Sequence, residues 1–353
     1  MNDGEGIRHV RTADGVRLAY EVSGRGPALV RAPHSMSHLL MERTSPVWRH
    51  WLELMAGDRT LLRYDQRGSG LSDRDTEHGL GRWLGDLETV VDAAGLDRFT
   101  LLGAYQGGTV AVGYAARHPE RVNGLVLYGT SARGRAHWAG CDPAEVALFE
   151  RVTEIAWGRV GSAFRHVFAD LLLPDASSEL KKQLVAGMGQ SADGREAARI
   201  CAAWAPVDLT GAARRLRVPA LVLHVLGDRL APCEEGRSLA GLIPDSRFVA
   251  LPGRNHLMLP EEPAWLRFSA EVRAFLGVPA QIGRGEAITG REREVLTLVM
   301  LGLGNEEIAA RLFLSVRTVE RHLSNVYAKL GLHGKSARAA AAAALAGRSG
   351  ERR

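Results

Sequence analysis

Between residues 7 and 275, short apolar runs alternate with longer amphipathic segments. The runs fall at 28–32, 60–64, 99–102, 124–128, 220–226 and 247–251. Runs this short and this apolar suit strands buried on both faces of a mostly parallel sheet. Amphipathic segments at 48–55, 83–94, 109–117, 234–242 and 264–275 separate most of them. Strands alternating with helices bury a sheet under helices on both sides, so the expected class is α/β. Segments 7–13 and 17–23 flank Asp14-Gly15 and read as a hairpin.

One stretch breaks the alternation. Residues 131–210 contain no convincing strand and read as wholly helical. A helical insertion between two strands of an α/β sheet reads as a lid. It carries Trp138, Trp157, Trp204, Phe149, Phe164 and Phe168. About half of these are expected to be lid core and the rest to line a pocket. Residues 279–288 lack periodicity and hold Pro279, Gly283 and Gly285, which marks a linker between a domain at 1–278 and a second at 289–353.

Charge separates the same two parts. Residues 281–353 hold 12 basic and 7 acidic side chains, which accounts for the whole net charge of +5, and the remainder is balanced. A basic tail on a neutral body points to a polyanion partner. The longest apolar stretch is the alanine run at 339–344, far short of the ~20 residues that cross a bilayer. The N-terminus lacks the basic-then-apolar pattern of a secretory signal. Cys141, Cys201 and Cys233 are widely spaced with no CxxC pair, which fits a reducing compartment and argues against a disulfide framework or structural zinc. No metal site, cofactor or membrane partner is expected, and a cytoplasmic location is.

The tail is a run of helices. Thr289-Gly290-Arg291-Glu292 matches the T-x-x-E capping box. Val295, Leu296, Val299 and Met300 share a face of the helix that should follow. Asn305 reads as the N-cap of a second helix and Ser315 as that of a third, running to about Leu330. At 100° per residue Val319, Leu323, Val326 and Leu330 cluster, with Arg317, Arg321 and Ser324 opposite and Glu320 on the flank. A short helix, a tight turn and a longer helix with an outward polar face form a helix-turn-helix, which reads bases through its second helix.

This segment resembles the LuxR-type helix-turn-helix of bacterial transcription regulators over about 60 residues; caps, core positions and the run TVERHLSNVYAKLG coincide. The resemblance implies binding to double-stranded DNA. Arg311, Thr318 and Lys329 would contact phosphates, and Arg317, Glu320, Arg321 and Ser324 would lie at the groove. Many family members carry Lys where this chain has Glu320. A carboxylate there accepts from cytosine but repels phosphate, which leaves the base preference open. The alanine-rich helix near 335–346 matches the element that often pairs two copies, implying a homodimer; high helix propensity explains the alanines equally well.

The front of the chain resembles the α/β-hydrolase fold over roughly 5–277. Asp65-Gln66-Arg67-Gly68-Ser69-Gly70-Leu71-Ser72 looks like that family's D-x-R-G-x-G-x-S loop, a mostly structural element. The run 99–102 is followed by Gly103-Ala104-Tyr105-Gln106-Gly107, in the place of the G-x-S-x-G elbow that presents a nucleophile above the sheet. The central residue is Tyr105. In chain order, Asp228 and His256 stand where the acid and the histidine of the triad would follow.

A phenol with pKa near 10 is ionised in about one molecule in 10³ at neutral pH. Its oxygen also lies several ångströms beyond the point served by the oxyanion donors, one of which would be the backbone N–H of Gln106. Losing a serine nucleophile costs on the order of 10⁶ in turnover in a worked protease case. The oxyanion loop departs too: Arg31-Ala32-Pro33-His34-Ser35 replaces the family's His-Gly. The expected role is therefore a pocket that senses a small, largely apolar effector, built from Tyr105, His34, Ser35, Gln106, His256, Trp138 and Trp204. His34 and His256 read equally well as pocket donors or as satisfied interior groups. The alternative is an active, esterase-like hydrolase with an appended DNA-binding module.

Overall fold

The computed structural model describes residues 6–35, 37–157, 159, 162–277, 290–300, 302–312 and 314–329. They fall into two compact units, divided after Gly277. The expected linker at 279–288, Thr289, Leu330 and the alanine-rich segment at 335–346 lie outside the described residues.

In the first unit the apolar runs become β1 (Ile7–Arg11), β2 (Arg17–Gly24), β3 (Ala28–Ala32), β4 (Thr60–Tyr64), β5 (Phe99–Ala104), β6 (Val122–Tyr128), β7 (Ala220–Val225) and β8 (Ser246–Leu251). They form one sheet in the order β1-β2-β4-β3-β5-β6-β7-β8. Only β2 runs against its neighbours, pairing antiparallel with β1 and β4; β4 through β8 are mutually parallel. The α/β class expected from the alternation is the class observed.

Helices α1 (Leu39–Thr44), α2 (Arg49–Ala56), α3 (Leu80–Ala93) and α4 (Gln106–Arg117) lie between strands up to β6. After β6 come α5 (Pro143–Ala156), α6 (Ala163–Leu172), α7 (Ser178–Ser191), α8 (Gly194–Trp204) and α9 (Thr210–Arg214), preceded by a 3₁₀ turn at Arg135–His137. Helices α10 (Cys233–Leu242) and α11 (Pro263–Phe275) complete the unit. The stretch 131–210 is not wholly helical. Arg133 and Asp208 form an antiparallel bridge that ties its two ends together. A single pair between residues so distant in sequence leaves no local periodicity to read.

Strand side chains alternate between two cores. Leu62, Leu101, Leu125, Leu127 and Val222 pack with Leu87 and Val91 of α3, Ala111 and Tyr114 of α4, and Leu239 of α10. Leu61, Leu102, Val126, Tyr128 and Leu223 point the other way, onto Trp51 of α2 and Phe268 of α11. This period of two on strands buried from both sides explains why the runs are apolar throughout. Each buried leucine contributes roughly 1.5–3 kcal/mol relative to exposure.

The second unit holds α12 (Gly290–Met300), α13 (Asn305–Leu312) and α14 (Val316–Lys329) around Val295, Leu296, Ile308, Val319, Leu323 and Val326. Helix α13 begins at Asn305, one residue earlier than a cap there would allow. The Glu307 carboxylate accepts from the Gly304 backbone N–H at 2.7 Å instead. Ser315 does cap α14, its Oγ accepting from the Thr318 N–H at 3.1 Å.

Candidate functional site

The run that becomes β5 ends in a turn too tight for ordinary backbone. Tyr105 takes φ 56° and ψ −124°, and it immediately precedes α4. That conformation costs a non-glycine residue on the order of 1–3 kcal/mol, so the surroundings must enforce it. The glycines beside it are part of that enforcement. A Cβ on Gly107 would stand 2.7 Å from the carbonyl oxygens of both Ala32 and Pro33, and one on Gly103 would stand 2.5 Å from Gly108 Cα. Helix and strands approach here more closely than any side chain permits. The elbow is therefore built as such, with a tyrosine at its tip.

The phenol is tied to the backbone through its hydroxyl. Its O–H donates to the backbone carbonyl of His256 at 3.0 Å. The Tyr128 O–H donates to the same carbonyl at 2.7 Å. The Tyr105 ring lies against the His256 imidazole, with centroids 4.0 Å apart and planes at 28°. His34, Trp48 and Tyr128 meet the ring edge-on at 6.1, 6.3 and 5.5 Å. Burial pushes the phenol well above its usual 10, and the negative charge of Asp228 adds to that.

Below the ring the acid–histidine pair is complete. His256 Nδ1 lies 2.6 Å from Asp228 Oδ2. Asp228 Oδ1 accepts from the N–H groups of Leu230 and Ala231 at 2.8 and 3.0 Å. Burial alone would raise this carboxyl. The facing His256, with His224 and the Ala231 N–H, outweighs it and holds the group well below the ordinary carboxylate range. Trp51, fully buried, packs on Tyr128, Trp265 and Phe268 beneath the site.

The D-x-R-G loop ties α1, α3 and the β1–β2 turn together. Arg67 grips Asp86 with two hydrogen bonds, at 2.8 and 2.6 Å, and reaches Asp14 at 2.8 Å. The Asp65 carboxylate accepts from the N–H of Leu39 at 3.0 Å and of Leu71 at 2.9 Å.

Above Tyr105 lies a cavity enclosing about 780 Å³ of atom-free space, part of it open to solvent. Its floor is the strand-end side and its roof is α5, α6 and α8. Of the residues expected at a pocket, Tyr105, Ser35, Gln106, Trp138, Trp204 and His256 line it. His34 does not. It is buried beneath Trp48, stacked on that indole at 4.4 Å, with Nε2 3.4 Å from Glu42. A sequence shows that a histidine follows β3 but not which neighbour will cover it. Phe149 and Phe168 reach the cavity wall, whereas Trp157 packs on Phe168 in the lid interior. Sequence reasoning missed Arg135 and Thr130, which also line the cavity, and Tyr128, whose place at the end of β6 was its one visible signal. Among the described residues, no group of three or more His, Cys, Asp or Glu side chains could hold a metal ion, and no helix is long and apolar enough to cross a membrane.

In the second unit, Arg317, Glu320, Arg321 and Ser324 are exposed along α14, opposite its buried stripe. Arg311 is exposed near the end of α13. Thr318 is half-buried, its hydroxyl 2.7 Å from that of Ser315. Lys329 is the last residue of α14, and its side chain lies outside the described residues. Arg291 donates to the Leu312 carbonyl at 2.7 Å, tying α12 to the end of α13.

Comparison with known proteins divides the chain at the same place. Residues 39–263 match the family described as alpha/beta hydrolase fold, and residues 286–342 match the bacterial regulatory proteins of the luxR family. A protein of Agrobacterium fabrum named as the carbamate hydrolase RutD is 24% identical over 248 residues, covering 70% of this chain and 94% of the relative. A protein of Mycobacterium tuberculosis named as an HTH-type transcriptional regulator is 53% identical over 62 residues, covering 15% of this chain and 7% of that longer protein. The crystal structure of a hydrolase from Pseudomonas aeruginosa superposes with a TM-score of 0.64 at 26% identity, covering 77% of this chain and 99% of that one. The chain belongs to the alpha/beta hydrolase fold family and carries, behind that domain, a DNA-binding domain of the luxR family.

Proposed function

We propose that this chain is a one-component transcription regulator whose hydrolase-fold domain holds a small ligand without cleaving it. The observation that carries this reading is the phenol at the elbow. Its proton is given to a backbone carbonyl rather than to the imidazole, so His256 has nothing to activate there. Burial deepens the deficit, because a desolvated phenol ionises even less than a free one. The cavity above it is walled mostly by apolar side chains and has a few polar groups on its floor, the usual composition of a small-molecule site.

In this reading the ligand shifts the arrangement of two recognition helices in a homodimer on double-stranded DNA. Arg317, Glu320, Arg321 and Ser324 face the bases, while Arg311, Thr318 and Lys329 engage phosphates. Occupancy changes DNA binding only if the ligand prefers one arrangement over the other.

The intact Asp228–His256 pair favours a second reading, a hydrolase in which the imidazole activates water directly. Incubation of the full chain with p-nitrophenyl acetate and butyrate separates the two. The sensor reading expects no acyl burst and no turnover above that of His256→Ala. Turnover that survives in Tyr105→Phe and disappears in His256→Ala would establish the second reading instead.

A further inference from the structure

The buried and half-buried arginines of the hydrolase unit are almost all accounted for. Arg31 and Arg63 clamp Glu42 at 2.7 and 2.9 Å, and Arg67 clamps Asp86. Arg165 donates to the carbonyls of Val185 and Arg159 at 3.3 and 2.9 Å. Arg135 differs. It opens the 3₁₀ turn that follows the Arg133–Asp208 bridge, is partly buried, and lines the cavity. Among the described residues, no hydrogen bond or ion pair reaches its guanidinium. Its contacts are the faces of Phe149 at 4.3 Å and Trp138 at 5.7 Å.

Two ring faces orient a guanidinium, but they offer no acceptor for its five donors. Burial lowers its pKa without a carboxylate to counter the effect. Glu150 and Cys201 share the wall, and burial shifts both toward their neutral forms; no ion pair joins Glu150 to Arg135 among the described residues. The cavity floor repeats the pattern. Gln106 and Thr130 are more than nine-tenths buried, and Gln106 Nε2 and Thr130 Oγ1 have no hydrogen-bond partner among the described residues. Buried polar groups in folded proteins generally find a partner, and an acceptor on a ligand would satisfy these two.

We infer that the cavity takes a small organic anion, a carboxylate held by Arg135 with its apolar body against Phe149, Phe168, Ile200 and Trp204. The assignment rests on the reading that this cavity holds a ligand. A carboxylate satisfies the guanidinium fork with two parallel charge-assisted hydrogen bonds, the strongest pairing available to it. A further acceptor oxygen on the ligand would meet Gln106 and Thr130.

Matched probes test this in the full chain by titration calorimetry at pH 7: butanoate, 4-phenylbutanoate and 1-naphthaleneacetate, each against its own neutral amide. The expected result is that at least one carboxylate binds wild type about tenfold or more tightly than its amide. In Arg135→Gln that preference falls to within about twofold while the amide binds as before. Equal binding of acid and amide by wild type overturns the anion assignment and leaves the ligand pocket standing. The same holds for a preference that persists in Arg135→Gln. If none of the six probes binds wild type, the pocket reading and the anion assignment fall together. The wild-type comparison decides even if the variant does not fold.

Discussion

The elbow at Tyr105 and the outward face of α14 are both places where backbone geometry presents side chains for work, and they differ in what is presented. At the elbow the framework of a nucleophile is complete: the strained dihedral, the glycines that admit close approach, and the Asp228–His256 pair. The side chain at its tip is that of Tyr105. On α14 the framework and the outward polar set are both present, with Val319, Leu323 and Val326 inward and Arg317, Arg321 and Ser324 outward. The difference teaches that the backbone geometry of an elbow does not depend on which side chain it presents. The strained turn and its close-packed glycines stand with a tyrosine at the tip.

If the hydrolase framework is structural in its own right, breaking it should cost stability and nothing in specificity. Arg67→Ala leaves Asp86 buried without its cation, and removing one partner of a buried pair costs about 3–5 kcal/mol. Urea unfolding of the first unit's transition should show a loss of that size; a loss under ~1 kcal/mol would mean that the loop is not pinned as described.

The α14 side of the comparison predicts the reverse. Arg321→Ala should weaken binding to a specific duplex by roughly 10–100-fold, as for loss of a groove contact, while the urea transitions stay within about 0.5 kcal/mol. Affinity unchanged in a salt-controlled mobility-shift titration would remove Arg321 from the groove.

The smallest effect is expected at the elbow itself. In Tyr105→Phe the His256 carbonyl keeps its hydrogen bond from Tyr128, so the loss should be about 1 kcal/mol or less. A larger loss would show that the phenol holds the loop by itself.

Much of the sheet was legible because strands covered on both faces are apolar without interruption. The elbow was legible because close packing demands glycines at fixed offsets, and Asp228 and His256 because chain order is preserved around them. Less could be read where a partner comes from far along the chain. Nothing local to His34 announces the Trp48 indole that covers it, and nothing beside Arg135 announces that Phe149 will sit on its guanidinium. A lone arginine in a helical stretch looks like any solvated surface charge until the fold brings it indoors. Thr318 is expected only as a phosphate contact, and nothing local announces that its hydroxyl will meet that of Ser315.

One carbonyl, that of His256, takes hydrogen bonds from two phenols rooted at the ends of neighbouring strands. The loop that bears it leads into the last helix of the hydrolase unit. A tilt of the Tyr105 ring would slacken one of two moorings and leave the other fast. Such a tether yields by degrees: losing one hydrogen bond leaves the loop held by the other.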